Sequence, residues 1–555
     1  MTYRNVCRLL AVLPLASVGA CAPGQPQPST EVQAQTSAAG VAAPTYRERH
    51  RPQYHFTPAV NWMNDPNGMV YYDGEYHLFY QHNPFGDKWG HMSWGHAVSL
   101  DLVHWEHLPV AIPEANGVMA FSGGAVVDWN NTSGFGREGK PPLVAIYTGH
   151  RETSQSQYIA YSNDRGRTWT VYDGNPVLDI GRKDFRDPKV FWHEPQQRWV
   201  MVVALPDQHK VSFYSSPDLK QWRHLSDFGP AAAVGGVWEC PDLFELPADG
   251  DPKDTRWVLI VSLNPGSISG GSGMQYFVGH FDGTRFTADS PAPGITTAGM
   301  PLDSVLWADY GRDFYAAVSW SDVPREDGRR LWLGWMNNWQ YAQDIPTSPW
   351  RSVQSLPRTL ALRTTSRGIR MVQQPVRELQ QLRGPRRRLA AQPIAEGSTS
   401  LARQGIAGTA LEIVAEFEVG TAVELGLKVR TGEQEETVIG IDPRAGELFV
   451  DRTRSGQVRF HPEFSGRHTA PLTVDNGRVT LHVFVDWSSI EVFAANGEVV
   501  VTDQIFPAPE SDGVALYARG GAARLVSLDA WSLNSIWRSA AARESRSTRS
   551  GRASP

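Results

Sequence analysis

The sequence predicts an all-β chain, a five-bladed β-propeller followed by a β-sandwich, and three observations carry that expectation. The first is texture. From Tyr54 to Leu360 short apolar and aromatic runs are broken by Gly, Asn, Asp and Pro, as in Gly68-Met69-Val70-Tyr71-Tyr72 and Trp199-Val200-Met201-Val202-Val203; such runs read as strands and turns. The second is an internal repeat. Ser99-Leu100-Asp101 precedes Trp105, Ser162-Asn163-Asp164 precedes Trp169, and Ser216-Pro217-Asp218 precedes Trp222. Copies about 55 to 65 residues apart suit a four-stranded blade, and about 300 residues at that period give five blades. Ser and Asp are common turn residues, so coincidence is the competing account. The third is the return of short alternating strands past the propeller region, such as Thr480 to Val485 and Ile490 to Phe493, which reads as a sandwich.

In chain order, residues 1–21 read as an export signal: Arg4 and Arg8, an apolar run from Leu9 to Val18, then small residues. Val18-Gly19-Ala20-Cys21 has the form of a bacterial lipobox, in which Cys21 is lipidated and becomes the new N-terminus; plain cleavage nearby is the rival reading. Residues 22–50, rich in Pro, Gln, Ala, Ser and Thr, read as a flexible tether. The propeller is expected over 51–362, a linker with a helix-like run (Val376 to Leu382) and the basic cluster Arg386-Arg387-Arg388 over 363–388, the sandwich over 389–538, and a disordered tail over 539–555. Of the three cysteines, Cys7 lies in the signal and Cys240 has no partner but Cys21, so no disulfide framework is expected.

Composition narrows the function. At 555 residues the chain is long enough for two cores, and a net charge of -6 argues against a nucleic-acid partner. There is no His-Glu-x-x-His, no Cys pair and no Gly-rich loop ending in Gly-Lys-Ser/Thr, so neither metal nor other cofactor is implied. Contact with a membrane is expected only through a lipid at Cys21. The 20 Trp residues pack cores in the plainer reading and stack on sugar rings in the other. Nothing in the sequence fixes the oligomeric state.

Three acidic motifs stand out: Trp62-Met63-Asn64-Asp65-Pro66-Asn67-Gly68, Phe185-Arg186-Asp187-Pro188 and Trp238-Glu239-Cys240-Pro241-Asp242. Singly, the first is a turn, the second a local ion pair, and the third a carboxylate that is costly to bury. Their spacing says more. Asp65, Ser122, Asp187 and Glu239 follow one another by roughly one blade, and equivalent positions on successive blades converge on the propeller axis. Carboxyl groups meeting there repel, so the pKa of one should rise. One ionised carboxylate beside one protonated acid is what glycoside cleavage requires.

With Phe121-Ser122-Gly123, Gly334-Trp335-Met336-Asn337-Asn338-Trp339, Asp486-Trp487-Ser488-Ser489-Ile490-Glu491-Val492-Phe493 and Ile505-Phe506-Pro507 in the same order, the sequence resembles glycoside hydrolase family 32, the β-fructosidases that include levanases, inulinases and invertases. The resemblance runs from about Arg51 to Trp537 and implies a five-bladed propeller with a sandwich. It implies Asp65 as nucleophile, Glu239 as general acid/base and Asp187 as transition-state stabiliser, with Arg186 helping to keep Asp187 ionised. Trp62, Asn64, Gln81, Trp89, Phe121, Ser122, Arg186 and Trp335 are implied as ligands of the terminal fructose, the tryptophans as pocket walls. The implied substrate is a fructan or a sucrose-like β-fructoside, cleaved by an exo-acting hydrolase. Endo-levanase, fructosyltransferase and non-catalytic fructan-binding readings remain open.

Overall fold

The computed structural model describes residues 44–289 and 302–537. The export signal, Cys21, most of the tether and the tail over 539–555 lie outside the described residues. Five antiparallel blades follow the strand order of the chain. Their innermost strands are Asn61–Tyr72, Met119–Val127, Arg186–His193, Val237–Ala248 and Tyr315–Ser319. Each is the first strand of its blade and packs against the first strands of neighbouring blades around the axis. The ring closes where Asn61 and Trp62 pair in parallel with Trp350 and Arg351, joining the start of blade one to the segment between the second and third strands of blade five.

The Ser-x-Asp repeat is a structural repeat. In blades one to three the Ser ends the third strand, and the fourth strand starts at or just after the Trp. Asp101 Oδ1 accepts from the amides of Val103 and His104, and Asp218 Oδ1 from those of Lys220 and Gln221. Asp164 does the same for Thr168. Side chains that bond the backbone two to four residues on hold these turns.

The stretch expected as a linker is largely built into both domains. Gly368–Pro375 is the outer strand of blade five, paired along its length with Arg358–Thr365, because Met371 and Val372 bury against the blade. Arg377–Leu382 is a 3-10 helix that buries Leu379 and Leu382. Arg387–Leu389 joins the sandwich beside Ala523–Ser532, and Arg386 pairs with Asp529. At the other end, Tyr46, expected in the tether, is buried and stacks on Trp537 at 4.3 Å.

The sandwich packs a seven-stranded sheet on a six-stranded one. Its core draws on alternate residues of each strand; Val479, Leu481, Val483 and Val485 point inward from one of them. Phe484 and Phe493, which leave the opposite face of that sheet, join Met63, Leu78, Trp320 and Leu356 in a single apolar cluster with the propeller. Inside this interface lies a buried charge network. Asp486 accepts from the amides of Gln53 and Tyr54 and from His55 Nδ1 at 2.8 Å. Glu491 receives His55 Nε2 at 3.0 Å, the Leu356 amide at 2.7 Å and Arg358 Nη2 at 2.6 Å.

Burial alone would push His55 down, yet Asp486 and Glu491 outweigh it and hold its pKa at about 9. A base raised above its unfolded value stabilises the fold fully below about pH 6.5, and that contribution is lost as pH rises through about 9. The thermal midpoint is therefore expected to fall between those values, and His55→Gln to flatten the decline. The same decline in both proteins would contradict this.

Candidate active site

Every inner strand breaks its ladder at the residue that faces the axis. The register shifts fall between Met63 and Pro66, Ala120 and Gly123, Arg186 and Lys189, Glu239 and Asp242, and Tyr315 and Val318. A bulge lets a strand re-aim a side chain that regular alternation would send into the sheet. Asp187 (φ 65°), Cys240 (φ 46°) and Ala316 (φ 52°) adopt the left-handed backbone region there, a cost that packing on both sides must hold in place. The result is a small cavity bordered by residues of all five inner strands, among them Pro66, Ser122, Asp187, Cys240 and Val318.

Asp65, Asp187 and Glu239 meet at this point, as the spacing predicts. Asp65 is buried; its Oδ2 accepts from Ser122 Oγ at 2.7 Å and its Oδ1 from Asn64 Nδ2 at 3.1 Å. Asn64 is itself fixed by the indole N–H of Trp62 at 2.7 Å. Asp187 Oδ2 accepts from the Cys240 amide at 3.0 Å. The Cys240 sulfur lies 3.6 Å from both Asp65 Oδ2 and Asp187 Oδ2. Glu239 Oε1 receives Arg186 through Nε at 3.0 Å and Nη2 at 2.9 Å, and Glu239 Oε2 accepts from the Tyr315 hydroxyl.

Arg186 favours the ionised form of Asp187, as expected, but its short bonds go to Glu239 and its Nε stays 3.9 Å from Asp187. The reason is the bulge, which turns the Asp187 carboxyl toward Cys240. The clustering raises carboxyl groups, as expected. Burial pushes Asp187 up to about 7; the Arg186 charge opposes this, and the charges of Glu239 and Asp65 add to it. Burial likewise raises Asp65, against the hydrogen bonds from Ser122 and Asn64.

The expected sugar ligands divide by exposure. Trp89 is 39% exposed and sits edge-on to Phe121, with ring centres 6.0 Å apart. Phe121 stacks on His150 beside Ser122. Gln81 is buried and donates to the Ala120 carbonyl at 2.9 Å. Trp62 and Trp335 have no exposed surface; they back the carboxylates instead of offering an open wall. Trp339 stacks on Trp62, lies tilted against Trp335 and is only half-buried, so it presents accessible aromatic surface on that side. Tyr315, Trp339 and the thiol of Cys240 escape sequence reasoning. Tyr315 belongs to no acidic motif, and only its place on the fifth inner strand would have found it.

Comparison with known proteins agrees with this architecture. The glycosyl hydrolases family 32 N-terminal domain matches residues 55–375, and the family's C-terminal domain matches 378–532. A levanase of Bacillus subtilis is 56% identical over 89% of this chain and 72% of its own. An extracellular exo-inulinase of Aspergillus ficuum is 44% identical over 90% and 97%. The crystal structure of exo-inulinase from Aspergillus awamori superposes with a TM-score of 0.83 at 42% identity, covering 89% of this chain and all of that one. With both domain models matched in order along a propeller and a sandwich, the chain belongs to glycosyl hydrolase family 32.

Proposed function

We propose that this protein is a retaining, exo-acting β-fructosidase that removes terminal fructose from fructans and from sucrose. The observation that carries the reading is the meeting of Asp65, Asp187 and Glu239 on three inner strands, each carboxyl group in a different hydrogen-bond environment. The levanase and exo-inulinase relatives give the substrate class.

Asp65 Oδ attacks the anomeric C2 of fructose as the bond from C2 to the leaving oxygen breaks, and Glu239 gives its proton to that oxygen. Glu239 then takes a proton from water, the water oxygen bonds C2, and Asp65 is released as a carboxylate. Ser122 and Asn64 aim the Asp65 carboxylate and favour its charged form. Burial and the charges of Glu239 and Asp65 push the Asp187 carboxyl up, against the charge of Arg186. With substrate bound, Asp187 accepts from ring hydroxyls and faces the positive charge developing at C2. Arg186 and Tyr315 hold the two oxygens of Glu239 in place.

Glu239→Ala is expected to slow fructosides with poor leaving groups far more than those with good ones, because good leaving groups need less protonation. Equal losses in kcat for both classes would refute the acid role. The activity itself is tested by a product time course on levan, inulin and sucrose: free fructose from the first minutes supports exo-hydrolysis, while oligosaccharides or lengthened chains point to endo-cleavage or transfer.

The protein is exported, in keeping with its signal-like start and its extracellular relative. Lipidation at Cys21 would leave it membrane-anchored, and Cys21→Ala would then release it into the soluble fraction.

A further inference from the structure

A second depression lies beside the carboxylates, at the junction of blades two and three. It is a groove of about 460 Å³ lined by Ile180, Gly181, Arg182, Lys183, Asp184 and Asp207, within the size range of small-ligand sites. The segment that forms it is pinned at both ends to the strand Ser154–Ser162. The Gln157 amide bonds Leu178 O at 2.8 Å, the Gln155 amide bonds Arg182 O at 3.0 Å, and the Gln155 side chain accepts from the Phe185 amide at 2.9 Å. Gly181, at φ 69°, makes the bend, with its amide on Asp179 Oδ1 at 2.7 Å. The groove is thus preformed.

Its position is set by one chain of contacts. Asp184 Oδ1 accepts from Arg186 Nη1 at 2.9 Å, and Arg186 Nη2 reaches Glu239 Oε1 at 2.9 Å. Glu239 marks the side on which the leaving oxygen must lie, so the groove opens on the leaving side of the scissile bond, one arginine away from it. Its lining charges balance: Arg182 and Lys183 against Asp184 and Asp207, with Arg182 and Asp207 3.8 Å apart. A neutral, mixed donor and acceptor lining suits a chain of sugar hydroxyls and gives no net attraction for an anion. Ile180, 37% exposed, adds an apolar surface for the carbon face of a ring.

We propose that this groove binds the second and later leaving-side units of a fructan chain, and so sets the preference for polymer over sucrose. The proposal rests on the β-fructosidase reading above. On this proposal the glucose of sucrose, a single leaving unit, ends at Arg186 and makes no use of the groove. Phe85, 72% exposed on the segment that also carries Trp89, offers the rival path for the chain.

The test compares kcat and KM for sucrose and for the preferred fructan in the wild type, in the double variant Ile180→Asn/Lys183→Ala, and in Phe85→Ala. Lost contacts to a charged group predict about a tenfold fall in kcat/KM on the fructan in the double variant, carried by KM, with sucrose changed less than about twofold. The proposal is overturned if sucrose and fructan fall together, if neither falls, or if Phe85→Ala and not the double variant separates them. A wild type that frees no fructose from any substrate would instead defeat the underlying reading.

Discussion

Asp65→Asn is expected to lower fructose release from every substrate by about 10⁴-fold or more, at unchanged KM within a few-fold and with the fold intact. Loss of a nucleophile removes a covalent path that the remaining groups cannot replace. The substitution keeps the volume of the side chain, and its neighbours can adapt: the Ser122 hydroxyl, 2.7 Å away, can turn from donor to acceptor, and the indole of Trp62 still fixes Asn64. Unchanged thermal unfolding with activity gone separates a chemical role from a structural one. Activity within about a hundredfold of wild type would remove Asp65 from the nucleophile position.

The second large effect is on stability. Glu491→Ala is expected to cost about 3–5 kcal/mol, because it takes from Arg358 and His55 one of the two buried carboxylates that each pairs with, leaving Arg358 only Asp309 and His55 only Asp486. It should also lower kcat, although the residue belongs to the sandwich. Glu491 accepts from the Leu356 amide, and two residues earlier Gln354 donates to the backbone carbonyl of Asn64 at 2.9 Å. From the same domain, Gln504 donates to the carbonyl of Met336, next to Trp335. The sandwich thus braces both sides of the carboxylate cluster as well as covering apolar propeller surface. Unfolding followed by heat and by chemical denaturant, together with kcat below the new transition, checks both parts. A midpoint within a degree of wild type would show that the network contributes little.

The parts of this architecture that were legible in the sequence are those set by local chemistry repeated at long intervals. Ser-x-Asp turns recur because each blade needs the same turn, and Asp65, Ser122, Asp187 and Glu239 recur because each sits at the bulge of an inner strand. Alternation in Thr480 to Val485 identified a sandwich strand, which runs over Arg478–Val485. What stayed hidden depends on where side chains turn after the bulges. The spacing puts Arg186 beside Asp187, but only the backbone at φ 65° shows that the guanidinium turns to Glu239. Tyr315 is an ordinary apolar-strand residue until the fifth blade closes against the first. The segment over 363–388 looks like a linker because its arginines mask Met371, Val372, Leu379 and Leu382, which anchor it to its neighbours. Trp62 and Trp335 stand in motifs that the sequence singles out, but burial depth is a property of the closed ring and cannot be read from a motif.

The most direct test of the mechanism is to trap its intermediate. The Glu239→Ala protein, mixed with a β-fructofuranoside that carries a good leaving group and quenched in acid during turnover, can be digested and its peptides weighed. With the acid/base residue gone, the first step proceeds on the leaving group's own strength and the second lacks its base, so the intermediate should accumulate. The account predicts one fructosyl unit on the peptide containing Asp65, and retention at C2 in the product of the wild type. A fructosyl unit on Asp187 or any other residue, or inversion at C2, would contradict it.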